Sequence, residues 1–294
     1  MERRKAFKKR LQEKGIIVAP GAYDAFSAKL IQHMGFEAVY ATGSGISVGL
    51  LAEPDLGLVT MTEQVTQARN IVNAVDIPVI CDADTGYGDI INVLRTVREF
   101  ERAGVVAIHI EDQEMPKRCG HLEGIRVVGQ EEMVQKLRAA KEAREDEDFI
   151  IIARTDARSV YGLDVALERG HAYIEAGADG LFIEAPESMD EVKIIAKTFR
   201  GIPLLLNRGG KKTPPISVAE AEELGFKIII FPGDLQRAAG KAMLNTLEVL
   251  KKEGNTTSIQ QNMLSFDERF ELLGIQKYYD LEARSLSSKE SGTE

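Results

Sequence analysis

Residues 105–112 read VVAIHIED, a β-branched apolar run that ends in two carboxylates. A nearly continuous run of this kind is how a parallel strand buried on both faces reads. Seven similar runs flank it: GIIVAP at 15–20, AVYATG at 38–43, PVICDAD at 78–84, FIIIART at 149–155, GLFIEA at 180–185, PLLLN at 203–207 and KIIIFP at 227–232. Stretches of helical period lie between them, among them Asn92–Ala103 and Glu131–Arg144. Eight strands alternating with helices predict an α/β fold, a closed (β/α)₈ barrel. An internal echo agrees, since HMGFEAVY, RAGVVAIHI, EAGADGLFI and ELGFKIII each pass through Gly into a strand. Gly suits the residue after a helix C-terminus, and the αβ turn needs it there. Pro78 and Pro203 stand at strand starts, where a missing N–H does no harm. The expected layout is a barrel over 1–255, a helical extension over 256–286 and a disordered tail over 287–294.

Composition narrows the function classes. The chain has 294 residues, 44% hydrophobic and 28% charged, which suits one large soluble domain. No apolar run reaches the roughly 18 residues that a membrane span needs. The basic N-terminus, MERRKAFKKRLQEKG, has no apolar stretch after it and reads as an amphipathic helix, not a secretory signal. A net charge of −9 with no basic stripe and no Trp argues against a nucleic-acid partner. Two cysteines, Cys81 and Cys119, give no disulfide framework and fit a reducing cytoplasm. Neither a Walker loop nor a dinucleotide fingerprint is present.

In such a barrel the chemistry gathers where strands end. Strand three ends CDADTGYGD, and Asp82 and Asp84, at i and i+2, would share one side of the strand. Strand four adds Glu111 and Asp112, strand six adds Glu184, and Asp55 lies in the loop after strand two. A ring of carboxylates is what Mg²⁺ takes, with Mn²⁺ as its substitute; helix caps and rim salt bridges are the plainer alternative. The loop EMPKRCGHLEGIR at 114–126 is long, polar and punctuated by Gly120 and Gly124, as lids are. Cys119 stands among Lys117, Arg118 and His121, and nearby positive charge lowers a thiol pKa. An incidental surface cysteine is the other reading, whereas Cys81 reads as core. Arg154 at the end of strand five would fork a substrate carboxylate or tie down a neighbouring Asp. Tyr40-Ala-Thr-Gly-Ser-Gly45 offers backbone N–H groups to an anion, or simply makes a tight turn.

Taken together, GAYDAFSAKL, ATGSGIS, PDLG, CDADTGYG, HIEDQ, PKRCGH, ARTDA and FIEA occur in this order over roughly residues 5–280. By these strings the chain resembles the isocitrate lyase / phosphoenolpyruvate mutase superfamily, and within it the short lyases that act on methylisocitrate, dimethylmalate and related acids. The resemblance implies that Asp82 and Asp84 hold Mg²⁺, directly or through water, with Asp55 and Glu111 completing the shell. It implies that Thr42, Gly43 and Ser44 bind a substrate carboxylate. Arg154 would clamp substrate oxygens, Glu184 and Asn207 line the pocket with Gly120, and Arg237 bind a further carboxylate. Cys119 would be the general acid on a mobile loop with His121 and Glu123 travelling beside it, and Tyr40 would partner the substrate hydroxyl. A homotetramer with swapped C-terminal helices is also implied.

The chemistry expected from this resemblance is retro-aldol cleavage of a 2-hydroxy dicarboxylate to an α-keto acid such as pyruvate and a carboxylate-stabilised carbanion, which Cys119 protonates. Mg²⁺ would stabilise the developing alkoxide. The alternatives are 2-methylisocitrate cleavage to pyruvate and succinate, a phosphonate mutase, an oxaloacetate hydrolase, and a non-catalytic barrel. Two departures bear on substrate. After strand seven the chain reads Asn207-Arg-Gly-Gly-Lys-Lys-Thr213-Pro, like the dimethylmalate and petal-death type. Near the C-terminus, Met263–Phe270 puts Phe266 where methylisocitrate lyases carry a carboxylate-binding Arg. A dicarboxylate is therefore expected over the tricarboxylate, with Arg269, Arg208 or Lys211 as other sources of charge.

Overall fold

The computed structural model describes residues 2–210 and 212–290. Lys211 and the end of the expected tail, 291–294, lie outside the described residues. Eight parallel strands occur where the apolar runs predict them: β1 Ile17–Ala22, β2 Val39–Ala41, β3 Val79–Asp82, β4 Ala107–Glu111, β5 Ile150–Thr155, β6 Gly180–Ile183, β7 Leu205–Asn207 and β8 Ile228–Phe231. They follow one another around a ring in the order β6-β5-β4-β3-β2-β1-β8-β7. A bridge between Leu181 and Leu204 joins β6 to β7 and closes it. The fold is a (β/α)₈ barrel.

The helices are α1 Glu2–Gln12, α2 Ala25–His33, α3 Gly43–Leu51, α4 Met61–Ala74, α5 Ile90–Ala103, α6 Gln130–Ala143 and α7 Ala157–Tyr161. They continue with α8 Leu163–Glu175, α9 Met189–Thr198, α10 Val218–Leu224, α11 Asp234–Glu253, α12 Phe266–Leu273 and α13 Ile275–Glu290. Local sequence sets many of their starts. Asp24, Thr60, Asp89, Ser217 and Ser265 each close a capping box with the side chain three residues on, which satisfies two otherwise unpaired donors. No helix among the described residues is long and apolar enough to cross a membrane.

The chain divides into two compact units, 1–236 and 237–294. The division falls within α11, earlier than the boundary at 255 that the sequence suggests. The second unit is the rest of α11, a 3₁₀ turn at Thr257–Asn262, α12 and α13, and neither α11 nor α12 has a buried residue.

The barrel has two cores, and strand alternation separates them. Residues facing the helices, such as Cys81, Ile108, Ile110, Ile151, Ala153 and Ile229, form the outer one. Those facing the axis, such as Ile80, Ala107, Ile152, Phe182, Leu205 and Ile230, form the inner one, which Phe7 and Leu11 of α1 also enter. The inward row then changes character along five of the strands. Ile80 gives way to Asp82, Ala107 to His109 and Glu111, Ile152 to Arg154, Phe182 to Glu184, and Leu205 to Asn207. One end of the axis is therefore filled with hydrocarbon and the other with charge.

Candidate active site

Asp82, Glu111, Arg154, Glu184 and Asn207 all end buried at this polar rim. Asp84 reaches it differently from the sequence expectation. β3 stops at Asp82, so the two acids do not share a strand face. Asp84 instead adopts a left-handed backbone, φ 46°, with its N–H donated to Asp82 Oδ1 at 3.0 Å. Tyr87 and Ala185 nearby are also left-handed, at φ 59° and 56°. Such non-glycine conformations cost on the order of 1–3 kcal/mol each and gather at functional sites.

Arg154 is the centre of the cluster. Its Nε and Nη2 fork onto Asp156 at 2.9 and 3.0 Å. Its Nη1 lies 3.1 Å from Glu111 Oε2 and its Nη2 3.6 Å from Glu184 Oε2. Of the two sequence readings of Arg154, these contacts are those of a residue that ties down a neighbouring Asp. Asp156 is held in turn, its N–H donating to Asp112 Oδ1 at 2.9 Å. Asp112 turns away from the rim to accept from Thr155, Arg169 and Tyr173 at 2.7–2.9 Å.

Lys117, in sequence only a charge near Cys119, is the second buried cation of the rim. Its Nζ stands 2.5 Å from Asp55 and 2.7 Å from Asp84. Burial works against its charge, but Asp84, Asp55 and Glu111 outweigh that and hold the ammonium. Burial likewise pushes Asp84 up to about 6, helped by Asp82 and Asp55 and opposed by Lys117. Glu111 is raised well above the ordinary carboxylate range by burial, and its Oε1 has no hydrogen-bond partner. Burial would raise Asp82 too, yet its neighbours hold it at about 2. His109 is pushed down to about 4 by burial. It is therefore neutral near pH 7, and Lys117 and Arg154 are the cations that act on Asp82 there. The Tyr40 hydroxyl lies 2.8 Å from His109 Nε2 and donates to Asp82 Oδ2 at 3.4 Å.

Beside Asp82, Thr42 caps α3 by accepting from Gly45 N at 3.3 Å. A Cβ on Gly43 would come within 2.6 Å of Asp82 Oδ2, so only glycine lets this backbone approach the acid. The first N–H groups of α3 open at this point, as an anion subsite requires.

The loop over 113–127 is closed at its base by a Gln113–Val127 bridge. Buried Gln113 also clamps the Arg118 peptide from both sides, accepting its N–H at 2.9 Å and donating to its carbonyl at 2.8 Å. Cys119 N–H donates to Asp55 O at 3.0 Å. A Cβ on Gly120 would meet Glu184, Arg154 and Asp156 within 2.9 Å, so the loop is pressed directly onto the rim. His121 Nε2 lies 3.5 Å from Glu184 and 3.4 Å from Asn207 Nδ2, and Asn207 itself donates to Glu184 at 3.2 Å. The expectation for the Cys119 thiol is corrected here. Sequence-adjacent charge predicts a lowered pKa, but burial dominates and pushes it up to about 11.

Three expected residues take part in none of these contacts. Glu123 is exposed, and its carbonyl rather than its carboxylate meets Arg118. Ser44 is half-buried, and Arg237 opens the second unit. Lys117 and Gln113 escaped the sequence reading because nothing local marks where a loop will fold back.

The rim also bears on whether a divalent cation fits. Six carboxyls (Asp55, Asp82, Asp84, Glu111, Asp156 and Glu184) face two cations, Lys117 and Arg154. Among the described residues, no three of His, Cys, Asp and Glu converge closely enough to hold an ion unaided. Mg²⁺ suits such a place, since it takes one or two carboxylates and completes its shell with water and substrate oxygens.

Residues 7–251 match the family model described as phosphoenolpyruvate phosphomutase. The chain is 49% identical to 2,3-dimethylmalate lyase of Eubacterium barkeri, over 92% of this chain and 94% of that protein. It is 46% identical to 2-methylisocitrate lyase of Aeropyrum pernix, over 93% and 87% respectively. Among solved structures, a 2,3-dimethylmalate lyase aligns with TM-score 0.91 at 38% identity, covering 96% of this chain and 95% of that one. A phosphonopyruvate hydrolase complexed with oxalate and Mg²⁺ aligns with TM-score 0.89 at 32% identity, covering 97% of this chain and 100% of that one. The chain belongs to the phosphoenolpyruvate mutase / isocitrate lyase superfamily.

Proposed function

We propose that this protein is a Mg²⁺-dependent carbon–carbon lyase that cleaves a 2-hydroxy dicarboxylate of the 2,3-dimethylmalate kind to an α-keto acid and a carboxylic acid. A cation held by Asp82 and Asp84, directly or through water, with Asp55 and Glu111 completing its shell, would supply Lewis-acid stabilisation of the substrate's C1 carboxylate and C2 oxygen. The first turn of α3, with Thr42, Gly43 and Ser44, takes one carboxylate, and Arg154 clamps substrate oxygens. Tyr40 partners the C2 hydroxyl. Transfer of that proton to a rim carboxylate drives cleavage of the C2–C3 bond and leaves pyruvate or a homologue on one side. The other fragment departs as a carbanion, which Cys119 Sγ protonates. Gly120 and His121 close the loop over Glu184 and Asn207 and keep water from the carbanion.

The observation that carries this reading is the Cys119 thiol, on a loop pressed against Arg154 and Glu184, with its pKa pushed up to about 11. A thiol that stays protonated at neutral pH is a proton donor. A phosphonate mutase transfers a phosphoryl group and has no carbanion to protonate, so this feature favours the lyase. Cys119→Ser should fold and bind product while losing about 10²–10⁴-fold in kcat, the usual worth of a general acid. Turnover within a few-fold of wild type would remove the thiol from the mechanism.

The related phosphonopyruvate hydrolase complex with Mg²⁺ supports the cofactor assignment. Chelation with EDTA should abolish activity, and Mg²⁺ or Mn²⁺ should restore it, but not to Asp84→Ala at ordinary metal levels. Full turnover in excess chelator would overturn the site.

The second unit points to self-association. Met243, Leu244, Leu247 and Leu250 recur at helical spacing on α11 and are all exposed, as are Phe266 and Phe270 on α12. Apolar surface on this scale is normally covered, and copies of the same chain, in a homotetramer with swapped C-terminal helices, would cover it. Light scattering should give a mass near four chains, and a monomer at micromolar concentration would refute the assignment.

Substrate choice turns on position 266. Phe266 is 72% exposed and carries no charge, but the Arg269 guanidinium lies 4.8 Å from its ring. The alternative substrate, 2-methylisocitrate, has a third carboxylate that needs a cation, and its support is the 46% identity to a 2-methylisocitrate lyase. Loss of a charged partner from a desolvated carboxylate costs about 2–5 kcal/mol, so the dicarboxylate reading requires that Arg269 not serve. The ratio of kcat/KM for 2,3-dimethylmalate over 2-methylisocitrate should exceed one. It should be unmoved by Arg269→Ala and fall about tenfold or more in Phe266→Arg. A wild-type preference for the tricarboxylate would refute the dicarboxylate reading.

A further inference from the structure

The segment that follows β7 meets the Cys119 loop at two points. Gly210 has φ +86°, and a Cβ there would fall 2.3 Å from the His121 ring, so only a glycine lets this backbone approach that imidazole. Two residues on, Lys212 Nζ donates to Gly120 O at 3.1 Å, to Leu122 O at 3.4 Å and to Ser159 Oγ of α7 at 3.3 Å. An ammonium has three donors and no acceptor, and here three acceptors meet it. Two are main-chain carbonyls on either side of His121, and Gly120 directly follows Cys119. The contact does not depend on the side chains of the Cys119 loop, because it reads only the path of the backbone.

We propose that Lys212 is a positioning residue that latches the Cys119 loop shut by tying its backbone to the β7–α10 segment and to α7. Lysine suits this task. Its stem reaches across from a neighbouring loop, and its head accommodates carbonyls that arrive from different directions. The latch lies outside the carboxylate cluster, so it acts on where Cys119 stands rather than on the charge around it. Its kinetic consequence rests on the proposed function, in which Cys119 must face the carbanion behind a closed loop. Its structural consequence does not rest on that function.

Alkylation separates the two. Wild type, Lys212→Met and Lys212→Arg would be treated with iodoacetamide at one fixed pH, and each cysteine followed by peptide mass spectrometry. Cys81, 0% exposed in the outer core, is the internal control. Lys212→Met keeps the stem and removes the donors, so Cys119 should react about tenfold faster or more, the scale set by losing one or two net hydrogen bonds. Cys81 should stay silent, and Lys212→Arg should fall between the other two. In turnover, Lys212→Met should lower kcat more than it raises KM. Cys119 alkylation within twofold of wild type would overturn the latch, and so would joint exposure of both thiols, which would mean that Lys212 holds the barrel instead. Faster alkylation with unchanged turnover would leave the latch standing and remove Cys119 from the chemistry.

Discussion

A buried guanidinium has to be paired, and the rim of this barrel is arranged around that requirement. Arg154 takes a bidentate partner in Asp156 and further carboxyls in Glu111 and Glu184, and its far face lies 5.1 Å from the Phe182 ring. Charge-assisted forks of this type are short and directional, so they fix position as well as charge. Asp156 could not hold Arg154 if its own backbone were loose, and Asp112 prevents that by binding the Asp156 N–H together with Arg169 and Tyr173 of α8. One line of polar contacts therefore runs from an outer helix to the pocket floor. Removing a member near its middle would leave charge buried without a partner, which is costlier than never having buried it.

Much of the fold was legible in the sequence because its causes are local. β-branched runs such as FIIIART and KIIIF mark strands that are dry on both sides, and Gly104 and Gly225 do take the left-handed positions after α5 and α10. The rim acids were legible for the same reason, since a polar residue that ends an apolar run sits where the strand leaves the core. What escaped depends on distances that no spacing encodes. Lys117 belongs to the Cys119 loop but neutralises Asp55 and Asp84. Asp84 reaches Asp82 only through a left-handed turn. Cys119 sits among basic residues in the sequence, yet Asp55 and Glu184 are its acidic neighbours in space, and burial decides its protonation.

The pocket is built from parts of unequal stiffness. Its floor is the last inward residue of five strands, backed by hydrocarbon. Its roof is two loops that hold each other where the Lys212 ammonium meets the Gly120 carbonyl and Gly210 meets the His121 ring. Floors of this kind fix geometry, whereas loops carry variation. The bond-breaking groups and those that separate one alkylated acid from another therefore need not be the same residues.

The alternation of inner and outer rows also limits how such a gene can change. In β4, Ile108 and Ile110 face the helices while His109 and Glu111 face the axis. Loss or gain of one codon within that strand would exchange the two rows, placing isoleucine at the pocket and a carboxylate in the outer core. Insertions and deletions should therefore survive almost only between strands, and distant relatives should align within each strand from β3 to β7 without gaps even where few of their side chains agree.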